Sequence, residues 1–161
     1  MQNIPGHENG LYHPDVFKSL LTHEVNNSRR YGDSLTLVNL FVETDPAHPE
    51  TQNDAELFVI KRLRLNLRET DVPCKQDHKF LILLPSTGEI GARTACERIK
   101  KNITADEGTA LILSLFMGMA SMPIHHSITS EEFLQNAARA LQYARMNGLA
   151  GVVAFSDITK K

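Results

Sequence analysis

The sequence predicts one α/β domain in which helices pack against a five-stranded sheet. Amphipathic helical repeats alternate with short apolar runs, in the order helix, strand, helix, strand, strand, helix, strand, helix, strand. The length of 161 residues suits a single hydrophobic core. This order is the split βαβ arrangement of a ferredoxin-like sheet with additions, so we expect a ferredoxin-like α/β (α+β) fold.

The first predicted helix covers His13 to Tyr31, where apolar residues recur at helical spacing. Pro14 suits its first turn because the missing N–H is not needed there, and Gly32 suits its end. The segment LTLVNLFV, which starts at Leu35, is nearly all apolar. A run of this kind is typical of a strand covered on both faces, so we expect it at the centre of the sheet.

A predicted loop and a second helix follow this strand. The segment ETDPAHPETQND, residues 43–54, is polar and contains two prolines, which favours a loop. Ala55 to Arg68 returns to a helical pattern. The residues expected to face inward are Leu57, Ile60, Leu63 and Leu67.

A hairpin connects the second helix to the next buried strand. RETDVPCKQDHKFLILLP, residues 68–85, has a polar tip, KQDHK, that contains no glycine, followed by an apolar run. The run from Phe80 to Leu84 predicts a second central strand with nearly every side chain buried. Gly88 to Ile103 predicts a helix beside it, and Ala110 to Met122 a long strand.

The last predicted helix has clear end signals. Thr129 and Glu132 have the spacing of a capping box, which would start the helix there. The helix is expected to run to Asn147, and Gly148 can take the left-handed conformation that closes it. The segment GVVAF from Gly151 predicts the final strand.

Composition excludes several classes of protein. The apolar fraction of 42% and the charged fraction of 22% are ordinary for a globular domain, and the net charge of −2 gives no general attraction to nucleic acid or to anionic membranes. Cys74 and Cys96 are too few for a disulfide framework and have no metal-binding spacing. We therefore expect buried free thiols, a cytoplasmic location, no nucleic acid polymer as partner and no membrane insertion.

Seven segments, in order, resemble the GGDEF domain family, the diguanylate cyclases of bacterial signalling. They are NGLYHPDVF, RRYGDSLTLVNLFVE, RETD, KFLILLPST, ACERIKKNI, MGMASMP and AARALQYARMNGLAGVV. The resemblance implies a nucleotide-cyclase-type five-stranded central sheet. It also divides the chain into an N-terminal tether (residues 1–8), a degenerate GGDEF domain (9–157) and a tail (158–161).

The residues that serve catalysis in this family are replaced here. The family joins two GTP molecules with Mg²⁺, using an Asp at the end of the first strand and an acidic residue of the signature hairpin. Alignment places Phe41 at the strand Asp, and places Gln76, Asp77, His78 and Lys79 on Gly, Gly, Asp and Glu. Phenylalanine cannot ligate a cation, and Lys79 would repel one. We therefore expect no catalytic residues, no metal, no cofactor and no enzymatic activity.

Other departures lie around this hairpin. The hairpin is one residue shorter than in the family, and the family's guanine-contacting segment has no match in TDPAHPETQND. Ala138 replaces an Asp, and Leu149 with Ala150 replaces an Arg-Asn pair. Arg145 keeps the positive charge of a phosphate-contacting Lys of the family. It also suits a second interpretation, a cation near a helix C-terminus.

Arg68 and Asp71 match the family's Arg-x-x-Asp inhibitory site, where cyclic di-GMP binds. Arginine can donate two hydrogen bonds to guanine or grip phosphate, and a carboxylate can accept from guanine's N1 and N2 hydrogens. Arg64 joins the candidate site because Lys61, Arg64 and Arg68 fall at i, i+3 and i+7 and form one basic stripe. The alternative is a solvated ion pair in which Arg68 closes a helix.

These features give three hypotheses for function. The first is a catalytically inactive GGDEF signalling domain that binds cyclic di-GMP at Arg68, Asp71 and Arg64. The second is a ligand-free module for docking a protein partner or forming a homodimer. The third, ranked lowest because of Phe41 and Lys79, is residual cyclase or GTP-binding activity.

Overall fold

A mixed sheet forms the centre of the computed structural model, which describes residues 7–8, 10–104, 111–123 and 127–159. Within these ranges the strands are β1 His7–Glu8, β2 Leu11–Tyr12, β3 Leu35–Glu43, β4 Val72–Gln76, β5 Lys79–Pro85, β6 Ser114–Ser121 and β7 Gly151–Ala154. The helices are α1 Pro14–Tyr31, α2 Thr51–Asn66, α3 Glu89–Thr104, α4 Ser130–Met146 and α5 Phe155–Thr159.

The strand order in the sheet is β1-β2-β4-β5-β3-β6-β7. β3 pairs antiparallel with both β5 and β6, whereas β2 with β4 and β6 with β7 are parallel pairs. β3 and β5 are therefore interior strands, and nearly all of their residues are buried. This confirms the prediction that the two apolar runs are central strands.

Helices cover both faces of the sheet. On one face, α2 and α3 pack on Val38, Leu40 and Val42 of β3. On the other face, α1 and α4 pack near Leu35 and Leu37 of the same strand. Alternate side chains of β3 thus enter two separate cores, which explains why its sequence is apolar throughout.

The predicted helix ends are confirmed where capping residues mark them. Pro14 opens α1, and Gly32 ends it with a left-handed φ of 73°. Thr129 and Glu132 form the predicted capping box of α4, and Gly148 follows that helix with a φ of 62°. The signals at these boundaries are therefore local in the sequence.

The prediction for the second helix was wrong at both ends and in part of its inward face. α2 begins at Thr51 and ends at Asn66, so the expected loop is shorter than residues 43–54. Leu57 is 45% exposed, although it was expected to face inward, whereas Glu56 is buried. The helix starts early because polar side chains of its first turns find hydrogen-bond partners inside the protein, which an apolar pattern cannot reveal.

Other differences concern short elements and strand ends. The five predicted strands correspond to β3 to β7, and the two-residue strands β1 and β2 extend the sheet at one edge. β6 begins at Ser114, four residues later than predicted, and Ala110 lies outside the described residues. The five-residue helix α5 was not predicted, because an element this short has no usable periodicity.

The parts of the predicted tether and tail at residues 1–6 and 160–161 also lie outside the described residues. Among the described helices, none combines the length and the hydrophobicity that a membrane crossing requires.

The contact between β6 and α4 is unusually close at Gly118. A Cβ atom at this position would lie 2.1 Å from the backbone nitrogen of Leu141 and 2.7 Å from the carbonyl oxygen of Ala137. Glycine therefore allows the two backbones to meet, which fixes the height of α4 above the sheet.

Candidate functional site

Arg68 and Asp71 lie in the link between α2 and β4, and the structure brings them into direct contact. The Asp71 side chain is buried, with 3% of its surface exposed. Its Oδ2 accepts a hydrogen bond from the Arg68 backbone nitrogen at 2.8 Å, and its Oδ1 accepts one from Arg68 Nη2 at 2.9 Å. Both carboxylate oxygens are thus used to hold Arg68.

The Arg68 guanidinium also ties the end of α2 to the segment after β5. Nη2 donates to the Pro85 carbonyl oxygen at 3.1 Å and to Thr87 Oγ1 at 2.7 Å, and Nε donates to Asp71 Oδ1 at 3.3 Å. The side chain is still 53% exposed. Nη1 donates no hydrogen bond to the part of the chain that the structure describes, so one edge of a fixed guanidinium faces solvent.

Arg64, the third residue of the predicted site, lies in the last turn of α2 and is exposed. Its side chain lies against Gly10, next to the β1 and β2 strands. A Cβ atom on Gly10 would be 2.5 Å from Arg64 Cδ, and Gly10 has a φ of +82°. Only glycine suits this position, since it combines a left-handed backbone with close side-chain contact.

Phe41 and Lys79, which the sequence analysis aligned with the family's acidic residues, lie next to each other beside a pocket. Lys79 is the Cα partner of Phe41 across the two strands. The guanidinium carbon of Arg145 lies 3.8 Å from the centroid of the Phe41 ring, which is a cation–π contact. The adjoining pocket has a volume of about 590 Å³ and is lined by Glu43, Lys79, Ala138, Leu141, Gln142, Arg145 and Met146.

These residues do not fit a magnesium ion. Mg²⁺ requires oxygen ligands in near-octahedral geometry, and carboxylates usually supply the protein's share. Here a phenyl ring covered by a guanidinium and an ammonium group occupy the expected ligand positions, and Glu43 is the carboxylate on the pocket wall. Within the described ranges, no three His, Cys, Asp or Glu side chains cluster in a way that could hold a metal ion.

The tip of the hairpin is a two-residue turn formed by Asp77 and His78, between the paired residues Gln76 and Lys79. Asp77 has a φ of +56°, a left-handed conformation that glycine adopts most readily. Aspartate tolerates this conformation better than most residues, which allows a tight turn without glycine.

Sequence analysis missed a buried carboxylate beneath this tip. Glu56 of α2 forms an ion pair with Lys75 Nζ at 3.0 Å and a hydrogen bond with His78 Nδ1 at 2.9 Å. Gln52 Nε2 donates to the same carboxylate at 2.6 Å, and Thr44 Oγ1 donates to Gln52 Oε1 at 2.8 Å. The network connects the segment after β3 with α2, β4 and the tip of the hairpin.

Burial and hydrogen bonding act on Glu56 in opposite directions. Burial alone would raise the pKa of its carboxyl group, but hydrogen bonds from Gln52, Lys75 and His78 outweigh burial, so its pKa lies below the ordinary value of 4.5. The signal in the sequence is the position of Glu56 between Ala55 and Val59 on the buried face of α2.

Burial also raises the pKa of Cys74 to about 11 and that of Cys96 to about 12, which leaves both as thiols.

Comparison with known proteins identifies the fold. No protein-family model and no curated protein matches the sequence. Solved structures do match. The GGDEF domain of DgcB from Caulobacter crescentus, in complex with c-di-GMP, has a TM-score of 0.77 at 15% identity, covering 97% of this chain and 99% of that one.

Two structures from Pseudomonas aeruginosa give the same result. The FimX GGDEF domain has a TM-score of 0.79 at 18% identity, over 94% of this chain and 99% of that one. The diguanylate cyclase SiaD, in complex with its activator SiaC, has a TM-score of 0.75 at 24% identity, over 91% of this chain and 59% of that one. This chain therefore has the fold of GGDEF domains, as the sequence resemblance implied.

Proposed function

We propose that this protein is a catalytically inactive signalling domain of GGDEF fold that binds cyclic di-GMP through Arg68, with Arg64 beside it. The observation that carries this proposal is the state of Arg68: a buried carboxylate holds its guanidinium in place, while half of the side chain stays exposed. A cation fixed in this way loses little conformational entropy when it binds an anion.

The loss of catalysis is supported by the chemistry at Phe41. The family's chemistry needs carboxylates to bring metal ions to a triphosphate. In this chain the ring of Phe41 and the guanidinium of Arg145 stack on each other, and Lys79 lies opposite on β5. Two positive charges and an apolar ring are unsuited to holding Mg²⁺, whatever nucleotide enters the pocket.

In this proposal Asp71 positions Arg68 and does not contact the dinucleotide itself. Both of its oxygens accept hydrogen bonds from Arg68, and its side chain is buried, so it is poorly placed to accept from guanine. The ligand is then contacted by the Nη1 edge of Arg68, which can donate to a phosphate oxygen or to guanine O6 or N7. The c-di-GMP complex of DgcB shows that a domain of this fold binds the dinucleotide.

The second candidate function is a protein-interaction module without a nucleotide ligand. One observation favours it: Arg68 already donates to Asp71, Pro85 and Thr87, and these contacts are sufficient reason for an arginine at this position without a ligand. SiaD bound to its activator SiaC is a neighbour of this fold whose partner is a protein.

Calorimetric titration of the purified chain separates these functions. We expect heat of binding with cyclic di-GMP and none with GTP and Mg²⁺. Binding of neither nucleotide would overturn the receptor proposal in favour of the interaction module. Binding of GTP with Mg²⁺ would contradict the assignment of the pocket as unsuited to the metal.

A further inference from the structure

The pocket beside Phe41 contains charged side chains of both signs that are not paired with each other. The side chains of Lys79 and Arg145 line the pocket, and within the described part of the chain neither forms an ion pair or a hydrogen bond. Glu43 lies on the same wall and is ion-paired with neither cation. Charges that converge on a cavity without neutralising each other are available to a ligand.

The pocket is lined by both cationic and apolar side chains. The guanidinium of Arg145 lies over the Phe41 ring, with its central carbon 3.8 Å from the ring centroid. Ala138 and Leu141 are three residues apart on α4 and form part of the lining. An occupant that carries a negative group next to apolar atoms would match this lining.

Exposed apolar side chains continue the surface beyond the pocket. Met146 lines the pocket and is 77% exposed, and Tyr143, three residues before it on α4, is 44% exposed. Residues three apart are neighbours on a helix surface, so the two side chains form one patch. Tyrosine and methionine beside an arginine are typical of the centre of a protein interface.

We propose that this surface, formed by Lys79, Tyr143, Gln142, Arg145 and Met146, binds a segment of a partner protein that carries an acidic side chain flanked by apolar residues. The acidic group enters between Lys79 and Arg145, and the apolar neighbours pack on Met146 and Tyr143. Gln142 is exposed on the pocket wall and offers a donor and an acceptor to the segment's backbone.

Charge favours this occupant over a nucleotide. Two cations match one or two negative charges, whereas a triphosphate carries about four and needs metal ions to balance the excess. This inference rests on the proposal that GTP is not the substrate, and it is independent of dinucleotide binding at Arg68.

A peptide selection tests the proposal directly. A phage-displayed library of random twelve-residue peptides is selected on the wild-type chain, and the enriched peptides are synthesised and titrated by fluorescence anisotropy. We expect enrichment of Asp or Glu next to apolar residues, and a loss of affinity of at least tenfold in Arg145→Glu. Met146→Ser should also weaken binding, since it removes apolar contact area.

The matched control is Arg29→Glu, which makes the same charge reversal at an exposed arginine in the last turn of α1. It should bind the peptides as the wild type does, and circular dichroism confirms the fold of each variant. Enrichment without acidic residues, or equal binding by Arg145→Glu and wild type, would overturn the proposal.

Titration with GTP gives a distinct result if a nucleotide, and not a peptide, occupies the pocket. Metal-free binding of GTP that is lost in Arg145→Glu would assign the pocket to nucleotide and overturn the peptide proposal. Formation of cyclic di-GMP is measured separately, so failure of the premise about the substrate can be distinguished from failure of the peptide proposal.

Discussion

At the scale of single residues, Arg68 carries the proposed function, and its substitution gives the first prediction. Arg68→Ala removes a charge-assisted contact worth about 1.5 to 3 kcal/mol, so the affinity for cyclic di-GMP should fall roughly ten- to hundredfold in a calorimetric titration. Arg68→Lys should not restore it. Lysine keeps the charge but lacks the planar fork that lets Arg68 donate to Asp71 and Thr87 from one edge while a second edge faces the ligand.

Arg29→Ala is the control for this prediction, because Arg29 is an exposed arginine in the last turn of α1. It should leave the affinity unchanged. Full binding by Arg68→Ala would exclude this residue from the site. Recovery of binding in Arg68→Lys would show that charge alone, and not the orientation of the guanidinium, is recognised.

In the proposed site Asp71 acts on the ligand through Arg68, which gives the second prediction. Asp71→Asn keeps the shape of the side chain but replaces one acceptor with a donor facing Arg68, whose backbone and guanidinium nitrogens both donate to it. Cyclic di-GMP binding should weaken, and the free energy of unfolding should fall by about 1 to 3 kcal/mol because a buried hydrogen-bonded charge pair is broken. Titration and urea unfolding measure the two effects, and an unchanged value for both would contradict the positioning role.

Glu56 gives a prediction for pH. Its pKa lies below the ordinary value of 4.5 in the folded protein, so its contribution to stability is present above that value and is lost as the pH falls through the folded pKa. Glu56→Gln should therefore lose less stability than the wild type between about pH 5 and pH 3, measured by urea unfolding.

Glu97→Gln is the matched control for the pH series, since Glu97 is an exposed carboxylate on α3. Its stability should change with pH as that of the wild type does, because solvent screens an exposed charge. Parallel stability curves for Glu56→Gln and wild type would show that the buried network does not contribute through ionisation.

At the scale of elements, the contact of β6 with α4 at Gly118 makes a prediction about packing. A methyl group there would lie 2.1 Å from the Leu141 backbone nitrogen, so Gly118→Ala has to push α4 off the sheet. We expect the free energy of unfolding to fall by about 1 to 3 kcal/mol, the usual cost of adding a methyl group to a well-packed core.

Gly91→Ala is the control for this substitution. Gly91 lies within α3, and its new methyl group would meet Thr87 Cγ2 at an ordinary distance of 3.4 Å. Alanine is favoured over glycine inside a helix, so this variant should be as stable as the wild type or gain up to about 1 kcal/mol. Equal stability of both variants would contradict the close packing of α4.

The elements that sequence predicted well are those whose signals are local. The caps at Gly32 and Thr129 fix the ends of α1 and α4 through neighbouring residues, and the apolar run at Leu35 suffices to predict a central strand. The start of α2 was missed because Glu56 is buried and Gln52 is half-buried, with polar partners that follow β3, lie on β4 and lie at the hairpin tip. Those partners are distant in sequence, so no local pattern contains them.

The same distinction between local and long-range signals applies to the candidate site. An ion pair between Arg68 and Asp71 was the alternative to ligand binding in the sequence analysis, and the structure shows the two side chains in contact. Spacing did not show that Asp71 is buried or that Pro85 and Thr87 share the guanidinium, because these facts depend on where β5 ends relative to α2. The stacking of Arg145 on Phe41 likewise joins residues more than one hundred positions apart.

At the scale of the whole molecule, the two proposed binding regions belong to helix layers on different faces of the sheet. The Arg68 region lies at the end of α2, in the layer that covers one face of the sheet, and α4, which carries Arg145, covers the other face. A signalling domain with both proposals correct would receive cyclic di-GMP on one face and a protein partner on the other. The rigid central strands β3 and β5 lie between them and contribute Phe41 and Lys79 to the second region.

The last prediction concerns the activity of the complete domain: incubation with GTP and Mg²⁺ should yield no cyclic di-GMP, as measured by chromatography. Dimerisation cannot rescue the reaction, because each copy would bring the same Phe41, Lys79 and Arg145 to the shared site. Raising the Mg²⁺ concentration should not help either, since the positive charges of Lys79 and Arg145 oppose a metal ion at this position. A product that forms only with the protein present, and that disappears when Lys79 or His78 is replaced, would show that the hairpin still supports catalysis and that the domain is an enzyme.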